Sequence, residues 1–125
     1  MCCIMYYVAW GVKHNRQVLT NEVTEYLRKV LEEIAEDKGF EIVSFEVKNM
    51  TEVRCSISAP PKYSVTDIMK YLKGISGRKI YKEFPSIKNE LYNCELWNHR
   101  YFCKTIGEVS NATVDEYFKG QIDAY

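Results

Sequence analysis

The stretch TEVRCSIS, residues 51–58, alternates polar and apolar side chains and predicts a β-strand with two different faces. Its polar face begins with an acid and a base two residues apart, Glu52 and Arg54. Its apolar face consists of Val53, Cys55 and Ile57. Because successive side chains of a strand point to opposite sides, this pattern predicts a sheet with one face on a core and the other face turned away from it.

The sequence on either side of this strand predicts the order β-α-β-β-α-β, followed by a third helix. The predicted strands are 5–12, 40–47, 52–59 and 100–106, and the predicted helices are 22–37, one that begins at Ser64, and one that runs from Ser110 or Asn111 through Gln121. The stretch KNELYNCELW, residues 88–97, is predicted to be a loop. This order predicts an α+β ferredoxin-like sandwich, in which a four-stranded antiparallel sheet has two helices on one face. The last helix would then cover Glu52 and Arg54 on the other face.

Local signals predict the ends of the two long helices. These signals are Thr20 or Asn21 as a cap, Gly39 as a left-handed stop, and Ser64 with Asp67 as a capping box. Gly74 and Gly77 weaken the interior of the second helix, which favours close packing or a nearby ligand there.

Length and composition predict a single domain over residues 1–125. The 125 residues are 46% hydrophobic and 27% charged, which is ordinary globular composition. No apolar run reaches the roughly 18 residues of a membrane span, and the amino terminus lacks the basic head of a signal peptide. We therefore expect a cytoplasmic protein with no membrane partner.

The five cysteines do not form a disulfide pattern, because their number is odd and no C-x-x-C pair occurs. We expect Cys55 and Cys103 to be small core residues on strands. The alternative is a zinc site of Cys94, His99 and Cys103, which lacks a fourth ligand.

Charge is unevenly distributed although the formal net charge is zero. Residues 21–41 contain seven acids and three bases, a balance of −4, whereas residues 62–82 contain six bases and one acid, a balance of +5. A polarised domain of this kind can attract a polyanion on one side. The nucleic-acid-binding candidates on the second helix are Lys70, Lys73 and Arg78, interleaved with Tyr71 and Tyr81. The alternative is two solvated helix faces of opposite bias.

Tyr117 and Gln121 lie four residues apart on the predicted last helix and share one face. A tyrosine can act as a nucleophile, and a glutamine carbonyl can bind a hard metal ion. The alternative is a pair that packs on the sheet.

Long stretches of the chain resemble the single-tyrosine transposases of the insertion-sequence 200 and 605 families. They are LKGISGRKIYKEFP (72–85), LWNHRYFCKTIGEVS (96–110) and VDEYFKGQ (114–121), with further similarity at 18–42 and 59–64. The resemblance implies a homodimer that binds single-stranded or hairpin DNA and moves a mobile element by DNA transposition. It implies a tyrosine that forms a 5′-phosphotyrosine link, and Mg²⁺ or Mn²⁺ held by a glutamine and by two histidines of an H-U-H motif. The first strand is expected to offer exposed aromatic surface to the dimer.

The resemblance implies site residues position by position. Tyr117 matches the nucleophile and Gln121 matches the glutamine ligand, but H-U-H falls on Glu52, Val53 and Arg54. The two histidines of the chain, His14 and His99, lie elsewhere, and Met50 and Thr51 replace the family's proline and aspartate before the motif.

This departure predicts a degenerate site that binds no metal. Glu52 could bind Mg²⁺, but the guanidinium of Arg54 offers no lone pair. Arg54 either pairs with Glu52 or contacts a DNA phosphate. We therefore expect no cofactor, with Mg²⁺ or Mn²⁺ required only if the site is active.

Four functions follow from these observations. The favoured one is a transposase relative that binds single-stranded or hairpin DNA but no longer cleaves it. The alternatives are an active transposase with an altered metal site, an RNA-binding ferredoxin-like module, and a domain that binds a small ligand or a protein.

Overall fold

The computed structural model describes residues 3–92 and 94–107. The predicted last helix, with Tyr117 and Gln121, lies outside the described residues. A single domain over residues 1–125 stays a prediction.

The described elements follow the predicted order. The strands are β1 (Ile4–Val12), β2 (Glu41–Lys48), β3 (Glu52–Ala59) and β4 (Trp97–Gly107), and the helices are α1 (Asn21–Lys38), α2 (Val65–Glu83) and α3 (Pro85–Glu90). A 3₁₀ turn, Lys13–Asn15, follows β1. The four strands form one antiparallel sheet in the order β2-β3-β1-β4. The predicted ferredoxin-like sandwich is confirmed.

The two faces of β3 are divided as the alternation predicts. Val53, Cys55 and Ile57 are fully buried in one core with Leu27 of α1 and Leu72 of α2. The opposite face is also partly closed, since Ser56 is buried and its Oγ lies 2.6 Å from Oγ of Ser44 on β2. Cys103 packs partly buried against the same core as Cys55, as predicted.

The expectation of exposed aromatic surface on the first strand is wrong. Tyr6, Tyr7 and Trp10 are buried. Tyr6 and Trp10 belong to the helix-side core, and the ring of Tyr7 on the opposite face meets that of Phe102 edge to face. Among the described residues, the exposed aromatic side chains of the sheet are Tyr101 and Phe102 on the edge strand β4, each 39% exposed.

The ends of the long helices carry the predicted caps. Thr20 Oγ1 accepts a hydrogen bond from the backbone N–H of Val23, and Gly39 closes α1 with a φ of +84°. Ser64 and Asp67 form both bonds of a capping box at the start of α2.

The predicted loop at 88–97 is partly wrong, because α3 extends to Glu90 and β4 begins at Trp97. Pro85 stands in the first turn of α3, where its fixed φ favours a helix. Trp97 pairs with Val12 and packs against Gly77, where an added Cβ would lie 3.4 Å from its ring. Its Nε1 donates to Ser76 Oγ at 3.0 Å. Close packing therefore explains one glycine of α2.

None of the helices in the described ranges is both long enough and apolar enough to span a membrane. The cytoplasmic location stays a prediction.

Candidate catalytic and nucleic-acid-binding site

Glu52 and Arg54 lie at the beginning of β3, on the face opposite the helix-side core. Across the sheet Glu52 is level with Gly11 of β1, and Arg54 is level with Ala9 of β1 and Glu46 of β2. The register places both charged side chains over the centre of the sheet.

The two charged groups bind each other directly. Arg54 Nε donates to Glu52 Oε1 at 2.6 Å, with side-chain exposures of 12% for Arg54 and 31% for Glu52. At this distance and with this little exposure, the two side chains keep one geometry, because few water molecules can replace either partner. The first of the two interpretations of Arg54, the pair with Glu52, is therefore what the structure contains.

The environment of Arg54 keeps it charged. Burial lowers the pKa of its guanidinium, but the hydrogen bond and charge of Glu52, with a smaller contribution from the Tyr7 hydroxyl, outweigh burial and raise the pKa overall. Tyr7 was not among the residues predicted for the site. Its place on the same face, two residues from Ala9 on β1, is the signal that could have identified it.

A turn of unusual backbone geometry precedes this pair. Asn49 and Met50 have φ values of 55° and 58°, and Thr51 N–H donates to Lys48 O at 3.0 Å. Positive φ at both central residues is typical of a type I′ hairpin turn. Proline cannot adopt such a φ, so the proline that the resemblance implies before the motif does not fit position 50 in this turn.

A shallow cavity of about 300 Å³ opens beside the pair. Its lining includes Gly11, Glu52, Asn98, Arg100 and Phe102. Asn98 and Arg100, which the sequence did not single out, bring an amide and a second guanidinium to the edge of the site. The lining of this cavity therefore carries one carboxylate, from Glu52, and one guanidinium, from Arg100.

The described residues do not bring metal ligands together. Within residues 3–92 and 94–107, no group of three or more histidine, cysteine, aspartate or glutamate side chains could hold a metal ion. The zinc alternative of Cys94, His99 and Cys103 is therefore wrong. His99 Nε2 instead lies 3.4 Å from Lys13 Nζ.

A second and larger cavity, of about 630 Å³, lies between α2 and the beginning of β4. Its lining includes the three predicted basic residues, Lys70, Lys73 and Arg78, together with Tyr81 and Trp97. Tyr71 is absent from that lining and lies under Lys38, whose Nζ is 4.5 Å from the ring centroid. The three bases thus line one cavity together with Tyr81 and without Tyr71, and nucleic-acid binding by them stays a prediction.

The three basic side chains differ in their exposure to solvent and in their hydrogen bonds. Lys70 and Arg78 are exposed. Lys73 Nζ donates to the backbone oxygens of Asn98 at 2.6 Å and Arg100 at 3.4 Å. Burial lowers the pKa of Lys73, and the nearby Glu95 partly offsets this. Lys73 therefore joins α2 to β4, whereas Lys70 and Arg78 can reach a ligand from solvent.

A family model described as "Transposase IS200 like" matches residues 2–121. This chain belongs to the IS200-like transposase family. The matched range includes Tyr117 and Gln121, although both lie outside the described residues.

Individual members of the IS200-like family agree with this assignment. The chain is 35% identical over 118 residues to the ISDra2 transposase TnpA of Deinococcus radiodurans, covering 94% of this chain and 84% of that protein. It is 29% identical over 118 residues to the transposase for insertion sequence element IS200 of Salmonella typhimurium, covering 94% of this chain and 76% of that protein.

Solved structures agree as well. The crystal structure of a candidate transposase from Deinococcus radiodurans superposes with a TM-score of 0.78 at 32% identity, covering 97% of this chain and 92% of that one. A REP-associated tyrosine transposase bound to a REP hairpin superposes with a TM-score of 0.62 at 15% identity, covering 99% of this chain and 70% of that one, which shows the shared fold.

Proposed function

We propose that this IS200-like chain binds single-stranded or hairpin DNA and has lost the ability to cleave it. Tyr117 occupies the nucleophile position and Gln121 the glutamine position, while Glu52 and Arg54 replace the two histidines. The observation that supports the loss of cleavage is the direct bond between Arg54 and Glu52 at the place where the resemblance puts the H-U-H motif.

The residues at this place do not fit a divalent metal ion. The carboxylate of Glu52 is engaged by Arg54, and a protonated guanidinium has no lone pair to donate. At about 4 Å and an effective dielectric constant of about 20, repulsion between Arg54 and a dication amounts to roughly 8 kcal/mol. Arg54 therefore supplies a positive charge where the metal ion would bind, and this charge is paired with the carboxylate of Glu52.

DNA binding is supported by the exposed basic residues of α2. Lys70 and Arg78 border the 630 Å³ cavity, and Lys73 holds β4 beside them. Phosphate binding by Lys70 and Arg78 needs only that their solvated side chains move onto the backbone of a strand. A phosphate contact by Arg54 would have to compete with Glu52, so we assign it a secondary role.

We expect salt-sensitive binding of DNA that depends on two exposed bases. In titrations of a labelled DNA hairpin and a labelled single strand, Lys70→Ala and Arg78→Ala should each flatten the log-log salt dependence by about 0.7 per phosphate contact on a single strand. Lys29→Ala is the matched control, because Lys29 is also exposed but lies on the acidic helix α1. Unchanged slopes in both α2 variants would exclude this helix from the binding surface, and a preference for RNA of the same sequence would favour the RNA-binding alternative.

We also propose a homodimer, as the family resemblance implies. β4 is an edge strand of the sheet and presents the exposed rings of Tyr101 and Phe102, which favours pairing or packing with a second copy. Sedimentation at micromolar concentrations should give twice the mass of the 14.7 kDa chain. A 14.7 kDa species throughout that concentration range would contradict the dimer.

A further inference from the structure

Tyr92 is exposed to solvent on a turn whose preceding residue, Leu91, is buried in the core. Its exposed fraction of 70% is the largest of any large hydrophobic side chain in the described ranges. The preceding residue, Leu91, is fully buried, and its backbone oxygen accepts a hydrogen bond from Cys94 N–H at 2.9 Å. Burial of Leu91 therefore fixes the position of the turn, and the ring of Tyr92 remains exposed to solvent.

The backbone at this turn is unusual. Tyr92 has a φ of 54°, which is rare for an aromatic residue. His14 and Asn15, in the 3₁₀ turn after β1, have φ values of 59° and 55°. Residues in such sparsely populated backbone regions are concentrated at ligand-binding segments, so these two turns are candidates for a binding role.

Side chains from the 3₁₀ turn and its end hold the tyrosine ring. Arg16 donates from Nη2 to the Tyr92 hydroxyl at 2.8 Å, and its Cζ lies 5.3 Å from the ring centroid. The His14 ring meets Tyr92 edge to face at a centroid distance of 6.4 Å. The ring therefore has a fixed orientation beside a permanent positive charge.

These turns lie at the same end of the sheet as Glu52. Gly11 is level with Glu52 across the β1–β3 pair, and Lys13 N–H donates to Leu96 O at 2.8 Å. Lys13 Nζ adds a further cation beside His99. A strand of nucleic acid that leaves the cavity at Glu52 toward this end of the sheet would meet an exposed ring bordered by basic side chains.

We propose that Tyr92 and Arg16 form a stacking platform for one unpaired base of single-stranded DNA. The proposal rests on the proposed function of the chain as a DNA-binding protein. An exposed aromatic ring flanked by cations suits a nucleic-acid strand, because the ring stacks on any base while the cations attract the phosphates. A protein partner would also bury Tyr92, but it would not explain the guanidinium of Arg16 held against the ring or the second cation, Lys13, at the same end of the sheet.

The test is a fluorescence anisotropy titration with a labelled oligothymidylate of about twelve nucleotides, which is within the usual site size of single-strand binders. Tyr92→Ala should weaken binding by about 5- to 100-fold, as expected for the loss of one stacked base. Tyr92→Phe retains the ring and should bind within about twofold of the unchanged protein. The slope of the salt dependence should stay the same in Tyr92→Ala, since no phosphate contact is removed.

A strand of the same length with abasic sites separates stacking from other effects. On this strand the unchanged protein and Tyr92→Ala should bind alike. Urea unfolding of Tyr92→Ala should match that of the unchanged protein, because the side chain is mostly in water. Equal binding of oligothymidylate by both proteins, or an equal loss on both strands, would overturn the platform while the DNA binding of the unchanged protein would preserve the proposed function. Failure of the unchanged protein to bind any DNA strand would overturn both.

Discussion

Replacement of Glu52 by alanine should lower the free energy of unfolding by about 2 kcal/mol, because it leaves the charge of Arg54 without its carboxylate. The Arg54 side chain is only 12% exposed and cannot turn fully into water. The expected loss is smaller than for a completely buried pair, since Glu52 is 31% exposed and the Tyr7 hydroxyl still interacts with Arg54. Urea unfolding of the two proteins measures the difference.

Glu46→Ala is the matched control for this experiment. Glu46 is level with Arg54 on β2 but its side chain is exposed, so its removal should change stability by less than about 0.5 kcal/mol. A double-mutant cycle of Glu52→Ala and Arg54→Ala should show a favourable coupling energy between the two side chains. Equal stability of Glu52→Ala and Glu46→Ala would show that the ion pair of Glu52 and Arg54 does not stabilise the fold.

The sequence was sufficient to predict the division of β3 into two faces and the caps of both long helices. These features depend on local rules: a period of two in a strand, a hydroxyl at a helix start, and a glycine at a left-handed position such as Gly39. The order of elements then restricted the fold to a ferredoxin-like sandwich, since connections between successive strands and helices follow few patterns. The family resemblance implied which positions of β3 correspond to the H-U-H motif.

The features that the sequence did not predict depend on contacts between distant segments. Trp97 begins β4 because it pairs with Val12 and packs on Gly77, and neither contact is visible in a local pattern. Tyr6 and Trp10 are buried because they lie in the core that the sheet shares with α1 and α2. Lys73 was predicted to bind nucleic acid together with Lys70 and Arg78, yet its amine donates to two carbonyl oxygens of β4.

Restoring the two histidines alone should not restore DNA cleavage. The turn before β3 has positive φ at Asn49 and Met50, a geometry that excludes the proline that the resemblance implies before the motif. The beginning of β3 therefore follows a type I′ turn into which that proline does not fit. We expect the variant that combines Glu52→His with Arg54→His to lack cleavage activity as well.

The central claim is that this IS200-like chain has lost cleavage because a guanidinium and a carboxylate replace the two metal-binding histidines. Tyrosine has an ordinary pKa of about 10, so at neutral pH its attack on a phosphodiester needs an activated nucleophile and a polarised phosphate. The charge of Arg54 is already satisfied by Glu52, so it does not reproduce a dication bound directly to the phosphate oxygen.

The measurement that tests this claim most directly is the formation of a covalent protein–DNA adduct. The native protein and the double-histidine variant are incubated with single-stranded hairpin DNA and Mg²⁺ or Mn²⁺, and adducts are resolved on a denaturing gel. Tyr117→Phe is the nucleophile control, and an IS200-family relative that cleaves the same strand is the positive control. We predict no adduct from the native protein with either metal. A metal-dependent adduct from the native protein that disappears in Tyr117→Phe would contradict the account and show an active transposase.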